Sequence, residues 1–179
     1  AGCFNHHTST QSLDGLDGAN AEIQPDILLA TSLVPGAGEL QKACVESWHH
    51  NGFRVVSLNC AEEIERLSHE YPEVTFVSCK RDGRDIAGKP LVYIDDVLDY
   101  FRDSGESVVG IINADILLTP FEGVQSWLRD EVGEGLLFGS RVDVENLGDP
   151  LGTVYSNGYD FFFMHRNCYA NLPASKLMM

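Results

Sequence analysis

Between Asp26 and Arg166, short apolar runs bounded by polar turns alternate with segments whose apolar residues recur at helical spacing. This alternation limits the fold more than any other feature. "DILLATSLV", "FRVVSL", "VTFVSC" and "SVVGIIN" are too short for helices and rich in branched aliphatic residues, the pattern of strands buried on both faces. In "GELQKACVESWHHNG", Leu40, Ala43, Cys44 and Trp48 share one helical face, with Gly52 as the stop. "AEEIERLSHEY" turns Ile64 and Leu67 inward, and "YIDDVLDYFRDSG" does the same with Val97, Leu98 and Phe101. Thr119-Pro120-Phe121-Glu122 has the form of a helix start: Thr as cap, Pro at the first helical position, Glu122 completing a capping box. Phe121, Val124, Trp127 and Leu128 would supply the buried face of that helix. "GLLFGSRVDV" and "GYDFFFMHR" follow as further strands. Strands alternating with helices in this way predict an α/β fold, Rossmann-like, with a mainly parallel sheet covered by helices on both faces.

The chain has 179 residues, enough for one sizeable core. Residues 1–25, rich in Ser, Thr, Asn, Gly and Asp, read as a flexible N-terminal arm, and residues 26–179 as the domain. A formal charge of −15 argues against nucleic acid as a partner, because phosphate neutralisation needs clustered Lys and Arg. No apolar run approaches the roughly 18 residues of a membrane span. Five cysteines, odd in number and without a C-x-x-C pair, predict buried thiols in a reducing, cytoplasmic setting rather than disulfides or zinc.

Open parallel sheets bind ligands beyond the carboxyl ends of their strands, near the switch in strand order. Three polar stretches fall at such ends. The first, Thr31-Ser32, leads into Val34-Pro35-Gly36, where a G-x-G before a helix is either a simple turn or a backbone approach to phosphate. The second, Lys80 to Lys89, concentrates four of the 12 basic residues. It reads either as a solvated loop or as counter-charge for a diphosphate, with Arg84 and Lys89 as the preferred phosphate contacts. The third is Asn113-Ala114-Asp115, directly after a buried strand. On extended backbone both side chains would point the same way, so their oxygens would meet at one site suited to Mg²⁺ or Mn²⁺. The rival reading makes Asp115 the cap of a following turn. No histidine pairs with a Ser or Cys in a nucleophile motif, and Asp160 stands unexplained inside an aromatic run.

Taken in order, "ILLATSL", "INADI", "GSRVD" and "YSNGYDFFFMHR" resemble the nucleotide-diphospho-sugar transferases, glycosyltransferases of the GT-A type, from about Asp26 to the C-terminus. The resemblance implies a Rossmann-like nucleotide-binding half and a D-x-D triplet holding Mn²⁺ or Mg²⁺ against the donor diphosphate. Here that position reads Asn113-Ala114-Asp115, so only its last acid is retained. The resemblance further implies that Thr31, Ser32 and Asn59 line the nucleoside pocket, and that Arg84 and Lys89 approach the diphosphate. Arg141 and Asp143 would shape the donor-sugar pocket, and Asp160 would lie on the acceptor side as base or sugar contact.

The expected function is therefore a glycosyltransferase core that takes a nucleotide-diphosphate sugar with a divalent metal and passes the sugar to an acceptor of unknown type. The alternatives are a non-catalytic nucleotide-sugar-binding domain and a nucleotidyltransferase, although Glu39 stands where the latter would carry a basic residue after its glycine loop. GT-A domains usually continue with acceptor-binding elements, so "LPASKLMM" suggests a C-terminally truncated domain, and its apolar end suggests a homo-oligomeric contact.

Overall fold

The computed structural model describes residues 26–146, 149 and 152–179; the arm expected over residues 1–25 lies outside the described residues. The elements run β1 (Leu28–Thr31), α1 (Gly38–His50), β2 (Arg54–Asn59), α2 (Ala61–Glu70), β3 (Thr75–Ser78), α3 (Arg84–Ala87), α4 (Ile94–Ser104) and β4 (Val108–Ile112). They continue with α5 (Val124–Val132), β5 (Leu136–Gly139), β6 (Val142–Asp143), β7 (Thr153–Val154), β8 (Phe161–His165) and α6 (Arg166–Tyr169). Six strands form one sheet in the order β3-β2-β1-β4-β8-β5, and β6 and β7 make a separate ribbon. The first four strands are parallel. β8 enters antiparallel to β4 and β5 antiparallel to β8, so the sheet is mixed although mostly parallel.

Period-two alternation divides the sheet into two apolar layers. Leu29 and Ile112 face Trp48 of α1, Leu67 of α2 and Leu128 of α5. Leu28, Ala30, Val56 and Val109 face Val97 and Phe101 of α4 and Tyr169 of α6. Every residue of β1 and β4 is buried, as strands with helices on both sides require. The chain first steps outward from β1 to β3 and then returns to pair β4 with the other side of β1. Right-handed crossovers place α1 and α2 on one face and α4 on the opposite one after such a reversal.

Three local expectations are corrected. The helix expected to start at Thr119 begins at Val124, after Gly123, whose positive φ of 76° sets the turn. The side chain of Asn51 accepts from the Phe121 N–H at 3.1 Å and donates to the Thr119 carbonyl at 3.4 Å. This tether to the end of α1 holds residues 119–121 out of the helix. Phe121 and Trp127 consequently pack on each other at the surface, 5.8 Å apart, while Leu128 and Val132 are buried. On α1, Leu40 is exposed and its expected inward place is taken by Gln41. "GLLFGSRVDV" is two strands rather than one, because at Ser140 and Arg141 the chain leaves the main sheet for the ribbon.

The C-terminal residues pair with the segment before α4. Val92 and Met179 exchange backbone hydrogen bonds of 3.0 and 2.9 Å, and the Ile94 N–H donates to Leu177. Among the described residues, no helix is long and apolar enough to cross a membrane.

Candidate functional site

Strand order switches between β1 and β4, and a cleft of about 390 Å³ opens beyond their carboxyl ends. Ser32 and Val34 line it from the loop after β1, Ala37, Leu40 and Gln41 from the start of α1, and Asn113, Ala114 and Asp115 from the loop after β4. Met179 completes the wall.

Helix α1 fixes both loops. Gln41, 3 % exposed, accepts from the Val34 N–H at 2.9 Å and donates to the Val34 carbonyl at 3.2 Å and to the Tyr71 hydroxyl at 2.9 Å. About two turns further, Ser47 accepts from the Leu118 N–H at 3.0 Å, and the Trp48 indole donates to the Ile116 carbonyl at 2.8 Å. Behind the first loop, Ser57 accepts from the Leu33 N–H, and Asn59 donates to the Leu33 carbonyl at 2.8 Å and to Glu63 at 3.0 Å. These backbone groups leave their strands inside the protein, where an unpaired amide is costly, and the buried side chains satisfy them. Sequence reading missed Gln41, Ser57 and the polar role of Trp48. A helical Gln carries no signal of burial, and an indole on an apolar stripe reads as core.

Ser32, Asn113 and Asp115 meet at the cleft as expected residues. Their backbone differs from the extended one anticipated: the chain turns at Ala114-Asp115, with the Ile116 N–H donating to the Asn113 carbonyl at 3.3 Å. β4 loses its ladder partners after Ile112, which permits the turn. Asp115 is exposed, and its carboxylate accepts no hydrogen bond from the described residues, so among them it caps no turn. The Asn113 amide donates to Asp160 at 3.1 Å, leaving its carbonyl oxygen free of that bond.

Asp160 is 4 % exposed and draws the ribbon to the cleft wall. Its carboxylate accepts from the Arg141 guanidinium at 2.8 Å and the Arg141 N–H at 3.1 Å as well as from Asn113. Arg141 also pairs with Asp143 at 2.7 Å and lies over the Tyr155 ring at 4.0 Å. Hydrogen bonds that Arg141 donates, to Asp143 first and Asp160 second, raise its pKa.

The remaining expected residues stand apart. Thr31 is fully buried, its hydroxyl without a hydrogen-bond partner among the described residues, and Asn59 belongs to the scaffold of the first loop. Arg84 is absent from the cleft wall: it pairs with Glu62 at 3.1 Å and Asp82 at 3.5 Å, and donates to the Cys60 Sγ at 3.1 Å. The Arg84 hydrogen bond, foremost among its causes, lowers the Glu62 pKa to about 2. Lys89 is exposed and away from the cleft wall. Lys80 and Arg81 face a second cleft of about 520 Å³ beside α4, where Asp99 and Asp95 pair with them at 2.7 and 3.4 Å. In a chain this acidic, Lys80, Arg81 and Arg84 of the 80–89 loop are drawn to nearby carboxylates before any ligand is considered.

Among the described residues, no three His, Cys, Asp or Glu side chains gather as a metal-binding group. Asp115 is the one acid of the switch-point cleft, joined there by the Asn113 amide and the Ser32 hydroxyl. Those are hard oxygen donors suited to a cation that keeps water and brings phosphate oxygens with it, and too few to hold one unaided. Burial first, and the Asp115 charge second, push the Cys44 thiol up to about 11, so it remains protonated and unreactive near neutrality.

The fold and cleft define an α/β protein with a crevice at its topological switch point whose wall is mostly apolar and, among the described residues, carries one acid. No known family model matches the chain, and no curated protein matches it.

Proposed function

We propose that the domain is a GT-A-type glycosyltransferase core that binds a nucleotide-diphosphate sugar in the cleft between β1 and β4. The observation that carries this reading is the convergence of Ser32, Asn113 and Asp115 at the strand-order switch, where doubly wound sheets take their ligands. Asp115, with the Asn113 carbonyl oxygen, would hold Mg²⁺ or Mn²⁺ arriving with the diphosphate. A cation there supplies charge neutralisation for the departing nucleoside diphosphate. Ser32 orients the donor, on a loop that Gln41 holds in place. The acceptor hydroxyl oxygen forms a bond to the anomeric carbon as the bond from that carbon to the diphosphate breaks, the electron pair leaving with the diphosphate and the hydroxyl proton passing to water.

Asp160 has a positioning part in this scheme. Its carboxylate is occupied by Arg141 and Asn113, so it sets the cleft wall and the ribbon in place through them. That same engagement, and the pairing of Arg84 with Glu62, favour a second reading in which the domain binds a nucleotide sugar without turning it over.

Titration calorimetry with UDP- and GDP-sugars, with and without Mn²⁺, tests the proposal. Binding followed by release of nucleoside diphosphate supports the transferase or a hydrolytic variant of it. Binding without release, in the presence of mixed glycan acceptors, supports the second reading. No binding overturns both.

A further inference from the structure

Folding sets two of the cysteines side by side. Strands β2 and β3 run parallel, with Leu58 opposite Val77 and Asn59 opposite Ser78. The ladder continues one step past both strands, because the Cys79 N–H donates to the Asn59 carbonyl at 2.9 Å. Cys60 and Cys79 are therefore the next pair in register. Cys60 keeps extended dihedrals, φ −71° and ψ 159°, before α2 begins. Period-two alternation turns it to the face of Leu58, and Cys79 packs on that same face, against the cluster that contains Leu58 and Val97. Neighbouring strands lie about 4.8 Å apart, inside the roughly 4.4–6.8 Å that separates the Cα atoms of a disulfide.

The surroundings suit a pair that exchanges as well as one that fills space. Cys79 is half-buried, so a small oxidant can reach its sulfur, while Cys60 is buried behind it. The Arg84 guanidinium donates to the Cys60 Sγ at 3.1 Å, which favours negative charge on that sulfur during exchange. Burial first, and then Asp96 and Asp82, raise the Cys79 pKa to about 11, with Cys60 itself near enough to be a further cause. Burial first also raises the pKa of Cys60. The pair therefore rests as two thiols, and both are free in this structure. The other described cysteines are placed elsewhere: Cys44 is buried with Trp48 on the opposite face of the sheet, and Cys168 lies on α6 beside β8.

We infer that Cys60 and Cys79 are a reversible dithiol–disulfide site, oxidised by a low-molecular-weight disulfide. The Cys79 thiol loses its proton to water and its sulfur bonds to one sulfur of the oxidant. The S–S bond of the oxidant breaks, and the leaving thiolate takes up a proton. The Cys60 sulfur, deprotonated in turn, then bonds to the Cys79 sulfur and displaces the second small thiol. Two protein thiols are oxidised while one small disulfide is reduced to two thiols. The product closes a ring that encloses α2 and β3, and it ties the start of the 80–89 loop to the end of β2. Asn59, which holds the Leu33 carbonyl of the cleft loop, is the residue next to the link. The inference is independent of the glycosyltransferase reading, and its test contains no nucleotide.

The test equilibrates the full wild-type chain at pH 8 with mixtures of reduced and oxidised glutathione, in buffer and in concentrated urea. Exchange is stopped with acid, free thiols are alkylated, and an unreduced tryptic digest is read by mass spectrometry. Cleavage at Arg66 separates the two cysteines, so their link appears as a joined peptide pair that dithiothreitol splits. The expected result is a Cys60–Cys79 link in buffer, with a linked-to-dithiol ratio about tenfold higher than in urea at the same glutathione mixture, because the fold holds the sulfurs together. The urea midpoint of the linked chain should be higher than that of the reduced one. Cys60→Ala and Cys79→Ala should each stop at a mixed disulfide with one glutathione on the remaining sulfur. The wild-type comparison needs neither variant to fold. A linked-to-dithiol ratio no higher in buffer than in urea overturns the site. So does a link from either sulfur to Cys3, Cys44 or Cys168 in its place, or glutathione retained on Cys79 of the wild type with Cys60 still free.

Discussion

Asn113 donates twice to Asp160, from its backbone at 3.0 Å and from its side-chain amide at 3.1 Å. Through this pair the first residue after β4 is bound to the last residue before β8, and the cleft wall is fixed to the antiparallel half of the sheet. Asp160→Asn keeps the shape but removes the charge facing Arg141, which is left with Asp143. The expected cost is about 2 kcal/mol of stability in urea denaturation, the scale of hydrogen bonds to a charged partner. An unchanged midpoint would show that Asp143 alone suffices for Arg141.

Asp115 has the opposite character. Exposed and without a hydrogen-bond or ion-pair partner among the described residues, it should tolerate conversion to Asn with a change in stability of less than about 0.5 kcal/mol, the range for surface positions. Mn²⁺-dependent affinity for UDP- or GDP-sugars should be lost in the same variant. A matching loss of stability and binding would return Asp115 to a structural role.

Gln41→Leu preserves volume and removes the polar clamp. The Val34 N–H and carbonyl and the Tyr71 hydroxyl would lose their partner, at an expected cost of about 2 kcal/mol or more. Hydrogen exchange should accelerate selectively over residues 33–36. Uniform acceleration across the sheet would mean that Gln41 supports the core at large rather than the cleft loop.

Gly110 sits in the centre of β4 where a Cβ would lie 2.5 Å from the Phe163 ring and 2.7 Å from Leu29. Strands β1, β4 and β8 are packed through that gap. Gly110→Ala should therefore destabilise by about 1–3 kcal/mol through overpacking. Thermal melting checks it, and a neutral result would show that Phe163 can swing away.

Cys44 and Cys79 are each shifted from an ordinary thiol value of 9.0 up to about 11, burial being the largest cause for both. The folded state holds these protons more tightly than the unfolded chain. Their contribution is complete below about pH 9 and disappears as pH rises towards 11, with a slope of at most about 1.4 kcal/mol per pH unit for each thiol. Urea midpoints between pH 8 and 11 should fall, and the fall should be shallower in Cys44→Ala. Identical slopes would place the alkaline loss elsewhere, for example at Tyr169, whose pKa burial also raises.

The fold class and the four parallel strands were legible because burial on both faces leaves unbroken apolar runs, as in "SVVGIIN", and because Val97, Leu98 and Phe101 recur at helical spacing. Ser32, Asn113 and Asp115 were legible for a related reason: polar residues directly after such strands must face the crevice. What escaped local reading depends on partners distant in sequence. The delayed start of α5 is set by Asn51, about seventy residues before Thr119, against a capping pattern that is locally sound. Arg84 looked free for phosphate until folding brought Glu62, 22 residues earlier, beside it.

The sequence by itself thus determined which segments are strands and helices and which strand ends are polar, since periodicity and burial act over a few residues. Tertiary structure alone decided that β8 and β5 run antiparallel, that Gln41 faces inward and that Asp160 belongs to Arg141 and Asn113. Those outcomes follow from pairing charges and backbone amides across the whole chain, and no short window of residues contains both partners.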